Sequence, residues 1–353
     1  MRRAWHIQAW VEYAALHDLM SHTAADTANR PLRQPSRRHT QAHVQRRLGV
    51  ELELTGLSIE RMATRIQAVL GGRIVPHSAY EYTVADTTFG DFAVELDYAY
   101  LKARGREEGG SGFWDEIAQL SDDLLGAVAK HIVPLEIVAP PIALDRAHEL
   151  HPLIADLRAA GARGTNVSAI YAFGLHFNIE VPDTAPETLL DYMRAFAVAF
   201  DWLKRVSAID ISRRVFPYIQ PYTTPYVRRI CDTAYKPDQT TLIEDYLAAN
   251  ASRNRALDML PLFAWLDAER VGAVVDDALV KARPTLHYRL PNCEIEQSGW
   301  DLHPAWEHWC VIEELAADRD RLDMICADYC DVLDAPLGDP FGRWGERFEQ
   351  YLR

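Results

Sequence analysis

Several short segments of the sequence alternate apolar side chains with side chains that can bind metals or phosphate. In RLGVELEL (47–54), Glu51 and Glu53 alternate with valine and leucine, and in FGLHFNIEV (173–181) His176 and Asn178 alternate in the same way. Successive side chains of a β-strand point to opposite faces, so each segment predicts a strand with one apolar and one polar face. The polar positions of the five segments of this kind are Glu51, Glu53, Glu95, Asp97, Glu136, His176, Asn178, Glu180, His287 and Arg289.

These polar positions carry the side-chain types that a site for Mg²⁺ and phosphate uses. Carboxylates two residues apart on a strand lie roughly 7 Å apart, close enough to serve neighbouring hard cations. Mg²⁺ prefers carboxylate and phosphate oxygens, and an imidazole or an amide can complete its coordination. The planar guanidinium of Arg289 suits a phosphate.

A solvated outer face is the alternative for each segment taken alone, because a Glu-x-Glu pair on a strand is common there. The joint pattern argues against it, since the five polar faces carry acids, histidines, an asparagine and an arginine but no lysine. Carboxylates gathered on one sheet repel one another unless cations or protons intervene. If the five strands share a sheet, the sequence therefore favours a divalent-metal site.

The elements that must position these residues form an α+β pattern. Strands are predicted at 47–54, 80–84, 91–101, 133–139, 172–181 and 283–290, and helices at about 58–70, 113–131, 144–160, 187–205 and from 303 onwards. Alternating strands have one covered and one open face, which favours a largely antiparallel sheet with helices on one face over a parallel doubly wound sheet. No strand is followed by a glycine-rich phosphate loop.

Charge is distributed unevenly along the 353 residues, whose formal net charge is −14. Residues 1–47 contain eight arginines and three acidic residues, so the remainder is strongly acidic. An acidic body argues against nucleic acid as the main partner. The stretch with Arg30, Arg33, Arg37 and Arg38 predicts an arm that docks on an acidic surface, either its own or that of a second subunit in a homo-oligomer.

Composition indicates a globular protein of a reducing compartment. No window has the ~18 uninterrupted apolar residues of a membrane helix, and the first twenty residues lack the apolar segment of a secretory signal. The five cysteines include no CxxC pair and are odd in number, which favours free thiols over a disulfide framework. We therefore expect a cytoplasmic protein without a membrane partner.

Five segments together resemble a known family. LGVELEL, the Asp97 strand, LEIVAPPI, FGLHFNIE and RPTLHYRLP follow in order and resemble the amidoligase family of carboxylate–amine ligases, related in fold to glutamine synthetase and glutamate–cysteine ligase. The resemblance covers about residues 47–295. It implies a glutamine-synthetase-like catalytic domain (47–295) with a curved, largely antiparallel sheet, after an N-terminal helix and basic arm (1–46) and before C-terminal helices packed on the same domain (296–353).

The resemblance also implies roles for individual residues, with ATP and Mg²⁺ (or Mn²⁺) as cofactors. Metal binding is implied for Glu51, Glu53, Asp97, Glu136 and His176, and contact with the ATP phosphates for Arg289. Asn178 stands where the family has a second histidine or an asparagine, and His287 stands where an acid is usual, although a neutral histidine can still ligate. Arg253 and Arg255, in NASRNRALDMLP (250–261), faintly match an arginine-bearing segment of glutamine synthetase; they either bind phosphate or carboxylate or form surface ion pairs.

The implied activity is ATP- and Mg²⁺-dependent joining of a small-molecule or peptide carboxylate to an amine through an acyl phosphate. Glu51, Glu136 and Arg289 are the expected catalytic residues, and the proton acceptor stays open between Glu95 and Glu180. Three alternatives stay open as well: an ATP-dependent phosphotransferase on the same fold, a non-catalytic binding or scaffold protein, and a metal-dependent hydrolase.

Overall fold

One antiparallel sheet forms the centre of the protein. The computed structural model describes residues 30–96, 134–165, 173–207, 219–275, 280–335, 339 and 342–352. The predicted N-terminal helix, the predicted helix at 113–131 and Asp97 lie outside these residues. The strands are β1 (Arg47–Leu54), β2 (Arg73–Ser78), β3 (Glu81–Thr87), β4 (Gly90–Leu96), β5 (Leu135–Val138), β6 (Ile142–Ala143), β7 (Leu175–Glu180), β8 (Leu257–Asp258) and β9 (Thr285–Tyr288). Their order is β2-β3-β4-β5-β1-β7-β9-β8, and β6 pairs with the start of β1.

All described strand pairs are antiparallel, which confirms the prediction of a largely antiparallel sheet. The predicted strand at 283–290 is shorter than expected, because Pro284 has no N–H to donate and the strand begins after it. The predicted helix at 144–160 begins as a 3-10 turn (Ala147–Leu150) and becomes α-helical only at His151.

Helices begin and end at residues that satisfy their terminal backbone groups. The Ser58 side chain accepts a hydrogen bond from the Arg61 amide at 3.2 Å at the start of α1, and Gly71, with a φ of 76°, ends that helix. The helices are α1 (Ile59–Leu70), α2 (His151–Ala160), α3 (Pro186–Val206), α4 (Thr224–Cys231), α5 (Gln239–Asn250), α6 (Leu260–Leu266), α7 (Ala268–Gly272), α8 (His303–Ala317), α9 (Arg319–Asp334) and α10 (Trp344–Leu352). Among the described residues, none of the helices combines the length and the apolar composition needed to cross a membrane.

The apolar face of the sheet packs against helices. Leu52, Phe177 and Tyr288, from β1, β7 and β9, are at most 4% exposed. The rings of Trp306 and Trp309 on α8 lie 5.8 Å from the Phe177 ring and 5.0 Å from the Tyr288 ring, as edge-on and tilted aromatic contacts. Burial of these side chains against α8 leaves the polar positions of the same strands on the opposite face.

A buried ion pair fastens the start of β1 to the helical layer. The Arg46 guanidinium donates to both carboxylate oxygens of Glu313 on α8, at 2.9 and 2.8 Å, and the two side chains are 0% and 1% exposed. The hydroxyl of Tyr192 on α3 donates to Glu313 at 2.5 Å, and the indole N–H of Trp309 donates to it at 2.9 Å. A buried carboxylate with this many donors is tolerated because each charge is paired and hydrogen-bonded.

The basic arm predicted from the sequence runs across α8. The indole N–H of Trp306 donates to the Arg33 carbonyl at 2.7 Å, and the Ser36 amide donates to the Glu314 carboxylate at 3.0 Å. The Arg33 guanidinium lies 3.7 Å from the Glu307 carboxylate. Residues 30–46 are therefore docked on an acidic helix of the same chain.

Removing one partner of the buried pair should destabilise the protein strongly. Arg46→Met leaves the Glu313 charge buried without its main partner, and we expect the free energy of unfolding in urea to fall by about 3–5 kcal/mol. Arg73→Met is the matched control, because the Arg73–Asp86 pair is similarly close at 3.0 Å but its side chains are 67% and 73% exposed. That substitution should change the free energy of unfolding by less than about 1 kcal/mol. Equal losses for the two variants would contradict this account of the buried pair.

Candidate functional site

Three carboxylates lie side by side on the polar face of the sheet. In the strand register, Glu136 of β5 pairs with Glu53 of β1 on one side and with Glu95 of β4 on the other. Directly paired residues of antiparallel strands share a face, with Cβ atoms about 5 Å apart. The sheet thus sets a row of half-buried acids across three strands.

Beside this row of acids, the imidazole of His176 lies between two carboxylates. His176 on β7 pairs with Glu51 on β1, and its Nδ1 lies 3.0 Å from Glu51 Oε2 while its Nε2 lies 3.2 Å from Glu53 Oε1. The other oxygen of Glu53 accepts the backbone N–H of Gly174 at 2.5 Å. These contacts fix both carboxylates of the Glu-x-Glu pair on the same imidazole.

Asn178 connects this cluster to Arg283. Its amide nitrogen donates to Glu51 Oε1 at 2.6 Å, and its amide oxygen accepts two hydrogen bonds from Arg283, at 3.0 and 2.7 Å. The Arg283 guanidinium lies 3.9 Å from Glu51. Gly49 faces Asn178 across the ladder, and a Cβ there would stand 3.1 Å from the Asn178 Cβ, so the glycine gives the amide its room.

His287 and Arg289 extend the cluster onto β9. His287 Nδ1 lies 2.9 Å from the Asn178 amide oxygen, and Arg289 Nη2 lies 2.9 Å from His287 Nε2. Arginine only donates hydrogen bonds, so we assign the proton of His287 to Nδ1 and its lone pair to Nε2. Asp258 of β8 pairs with His287 from the other side and is 1% exposed.

Burial and charge set the ionisation of these groups. Burial alone would raise the pKa of Glu51, but the facing imidazole of His287, that of His176 and the Arg283 charge hold it well below 4.5. Burial lowers the pKa of His287 well below 6.5. At neutral pH Glu51 is therefore an ionised carboxylate and His287 beside it is a neutral imidazole. Burial also raises the pKa of Glu95 and that of Asp258, in the latter case against the pull of Arg289.

The structure brings together most of the residues that the sequence singled out. One ligand atom each of Glu51, His176 and His287 lies within 4.8 Å of the others, a spacing that a cation could bridge. The polar face carries this set of predicted residues: Glu51, Glu53, Glu136, His176, Asn178, His287 and Arg289.

Other predicted residues lie elsewhere or in other contacts. Arg255 donates to the backbone carbonyls of Pro221 and Ala249, a structural role for its guanidinium. The charge of Arg253 acts on Asp258 and therefore reaches the edge of the cluster. Glu180 is bound by Arg47, 3.1 Å away, which leaves Glu95 as the acid of the two that lies in the carboxylate row. Asp97 lies outside the described residues.

Two residues of the cluster were missed in the sequence. Arg283 lies an even number of residues before His287 and Arg289 in RPTLHYRL, so the two-residue period of a strand places all three on the polar face. Pro284 separates Arg283 from the strand itself. Asp258 had a weaker signal, because β8 contains only two residues and no alternation can be read from so short a strand.

The sheet and its polar cluster lie within the part of the chain that one protein-family model matches. A family model described as "Putative amidoligase enzyme" matches residues 44–311, which include every strand from β1 to β9. The chain belongs to this family. No curated protein and no solved structure matches it. The family match confirms the resemblance read from the five segments and places the protein among amidoligase enzymes, a class of ligases.

Proposed function

We propose that this amidoligase-family protein joins a small-molecule or peptide carboxylate to an amine, using ATP and Mg²⁺ or Mn²⁺, through an acyl-phosphate intermediate. The observation that carries the proposal is the convergence of acids, imidazoles and Arg289 on one sheet face within the matched family range. A glutamine-synthetase-like fold is part of the proposal. It is supported by an antiparallel sheet whose apolar face packs on helices and whose other face carries these groups.

The donor set suits a hard divalent cation. We assign metal binding to Glu51, Glu53, Glu136 and His176, with Asp97 as a further proposed ligand. Carboxylates supply the oxygen atoms that Mg²⁺ and Mn²⁺ prefer, and the imidazole of His176 can complete the coordination. When bound, such ions neutralise phosphate charge and orient the transferred phosphoryl group against the carboxylate acceptor.

Arg289 is the proposed phosphate-binding residue. The residue is 8% exposed, and its guanidinium is oriented by the hydrogen bond to His287. A planar guanidinium held in place before the reaction can stabilise the charge that develops on the transferred group without reorganising. The Asn178–Arg283 pair positions Glu51 in turn, since Asn178 bonds both the carboxylate and the guanidinium.

Glu95 is the proposed acceptor of the proton that the amine must lose on attack. It lies at the end of the carboxylate row, paired with Glu136, and is half-buried. A carboxylate in such surroundings is a stronger base than an exposed one.

A cytoplasmic location is also part of the proposal. All five cysteines are free thiols, which is typical of a reducing compartment, and dependence on ATP and Mg²⁺ is consistent with the cytoplasm.

A ligase and a phosphotransferase differ in what happens to the phosphoryl group that ATP donates. A phosphotransferase would consume ATP with the acceptor carboxylate alone and accumulate a phosphorylated product. A ligase releases inorganic phosphate in proportion to the amide formed, and only when the amine is present. Phosphate release measured over a panel of carboxylates, with and without amines, separates the two. Absence of ATP binding in the presence of Mg²⁺ would instead favour a scaffold protein, or a metal-dependent hydrolase if the protein turns over a substrate without ATP.

Loss of either acid of the Glu-x-Glu pair should weaken the Mg²⁺-dependent binding of ATP. We expect Glu51→Gln and Glu53→Gln to weaken Mg²⁺-dependent ATP binding, measured by calorimetry, by about 100-fold or more, because each removes a charged ligand while keeping the side-chain shape. Glu60→Gln, on the exposed side of α1, is the control and should bind ATP like the natural protein. Unchanged affinity in both site variants would remove the metal site from this sheet face.

Arg289→Lys should lose most catalytic activity although it keeps the charge. A lysine ammonium cannot reproduce the planar fork, so we expect the rate of amine-dependent phosphate release to fall about 100-fold. The control is Arg146→Lys, which breaks a bidentate but exposed arginine–carboxylate pair with Glu149 (2.8 and 2.9 Å). Activity in Arg289→Lys equal to that of the control would contradict the phosphate-binding role.

A further inference from the structure

A second cluster of metal-binding side chains lies at the starts of two helices. His151 is the first residue of α2, His303 is the first residue of α8, and Asp301 lies two residues before it. One ligand atom of each residue lies within 4.8 Å of the others. Leu153 and Ile154 of α2 line the same small cavity as Val50 and Leu52 of β1. The cluster therefore lies on the apolar side of the sheet, away from the candidate active site.

Two of the three ligands are already positioned as a pair. Asp301 Oδ2 lies 3.1 Å from His303 Nδ1, and Asp301 Oδ1 accepts the backbone N–H of His303 at 2.8 Å. Neighbouring ligand atoms of a tetrahedral zinc ion are about 3.3 Å apart, given zinc–ligand distances near 2 Å. The second ring nitrogen of His303 lies 3.4 Å from the Pro31 carbonyl, which brings the N-terminal arm to the same point.

His151 carries the unexplained feature of the cluster. It is 3% exposed, and within the described part of the chain neither of its ring nitrogens has a hydrogen-bond partner. Buried polar atoms in folded proteins nearly always have partners, so an imidazole left with two unsatisfied nitrogens calls for a ligand. Its ring centroid lies 4.8 Å from that of His303, which directs the free ring toward the Asp301–His303 pair.

A third imidazole, that of His148, lies close by. His148 lies three residues before His151, on the same side of the turn that leads into α2. Its Nδ1 is likewise buried without a hydrogen-bond partner among the described residues, and its charge acts on His151.

We propose that His151, Asp301 and His303 form a second metal site, specific for zinc or a similar borderline cation, with His148 or water in the fourth position. Imidazole nitrogens and one carboxylate are the ligands that Zn²⁺ prefers, whereas Mg²⁺ prefers oxygen. The ion would join α2 to α8, whose His303 also lies against the Pro31 carbonyl of the N-terminal arm. Because these elements pack behind the sheet, the site is structural and independent of the proposed ligase chemistry.

The test compares zinc binding in full-length proteins that share a disabled active-site cluster. Calorimetric titration of ZnCl2 into chelator-treated Glu51→Gln/His176→Gln protein, in excess Mg²⁺, should show one bound equivalent. Adding His151→Leu should weaken that binding by about 100-fold or more, and adding Asp301→Asn should do the same. Zinc should also raise the unfolding temperature of the parent protein and leave that of the His151→Leu protein unchanged.

The two added variants also control for folding. Leucine fills the space of His151 and removes no hydrogen bond, so the metal-free His151→Leu protein should unfold at the same temperature as its parent or higher. Asparagine keeps the oxygen that accepts the His303 amide while it removes the carboxylate charge. A parent protein that binds no zinc, or zinc binding equal in the parent, His151→Leu and Asp301→Asn proteins, would overturn the proposal.

Discussion

Each strand of the sheet buries apolar side chains on one face and brings polar side chains together on the other. One strand register has to do both. On one face, Leu52, Phe177 and Tyr288 are removed from water against the helices. On the other, Glu51, His176 and their neighbours are gathered within hydrogen-bonding distance. A slip of one residue would exchange the faces, exposing the leucines and burying the acids, so the hydrophobic core holds the polar cluster in place.

Like charges crowded on the polar face are balanced by positive and neutral donors from the adjoining strands. Asn178 and Arg283 satisfy Glu51, and Arg289 binds His287 and acts on the buried Asp258. At the start of β1, the Arg46–Glu313 ion pair ties the strand to α8. Because that helix also packs on Phe177 and Tyr288, the ion pair and the core fix the same strand from two directions.

The sequence was most informative where strands are long and alternate. In RLGVELEL and FGLHFNIE the two-residue period sorted Glu51, Glu53, His176 and Asn178 correctly onto one face, because side-chain direction in a strand is a local property. It failed for β2, whose residues RIVPHS contain a proline and show no clean alternation, and for β8, which is too short to have a period. Contacts between residues far apart in the chain, such as Arg46–Glu313 or the His151–His303 pair, left no local pattern to read.

The central claim is that Mg²⁺ and ATP bind on the polar face of the sheet. A crystal structure with Mn²⁺ and a non-hydrolysable ATP analogue would test it most directly, because manganese is located by its own anomalous scattering. The account predicts manganese within coordination distance of Glu51, Glu53 and Glu136, and the analogue's phosphates against Arg289. Manganese and nucleotide bound away from these side chains, with the carboxylate row unchanged, would contradict it.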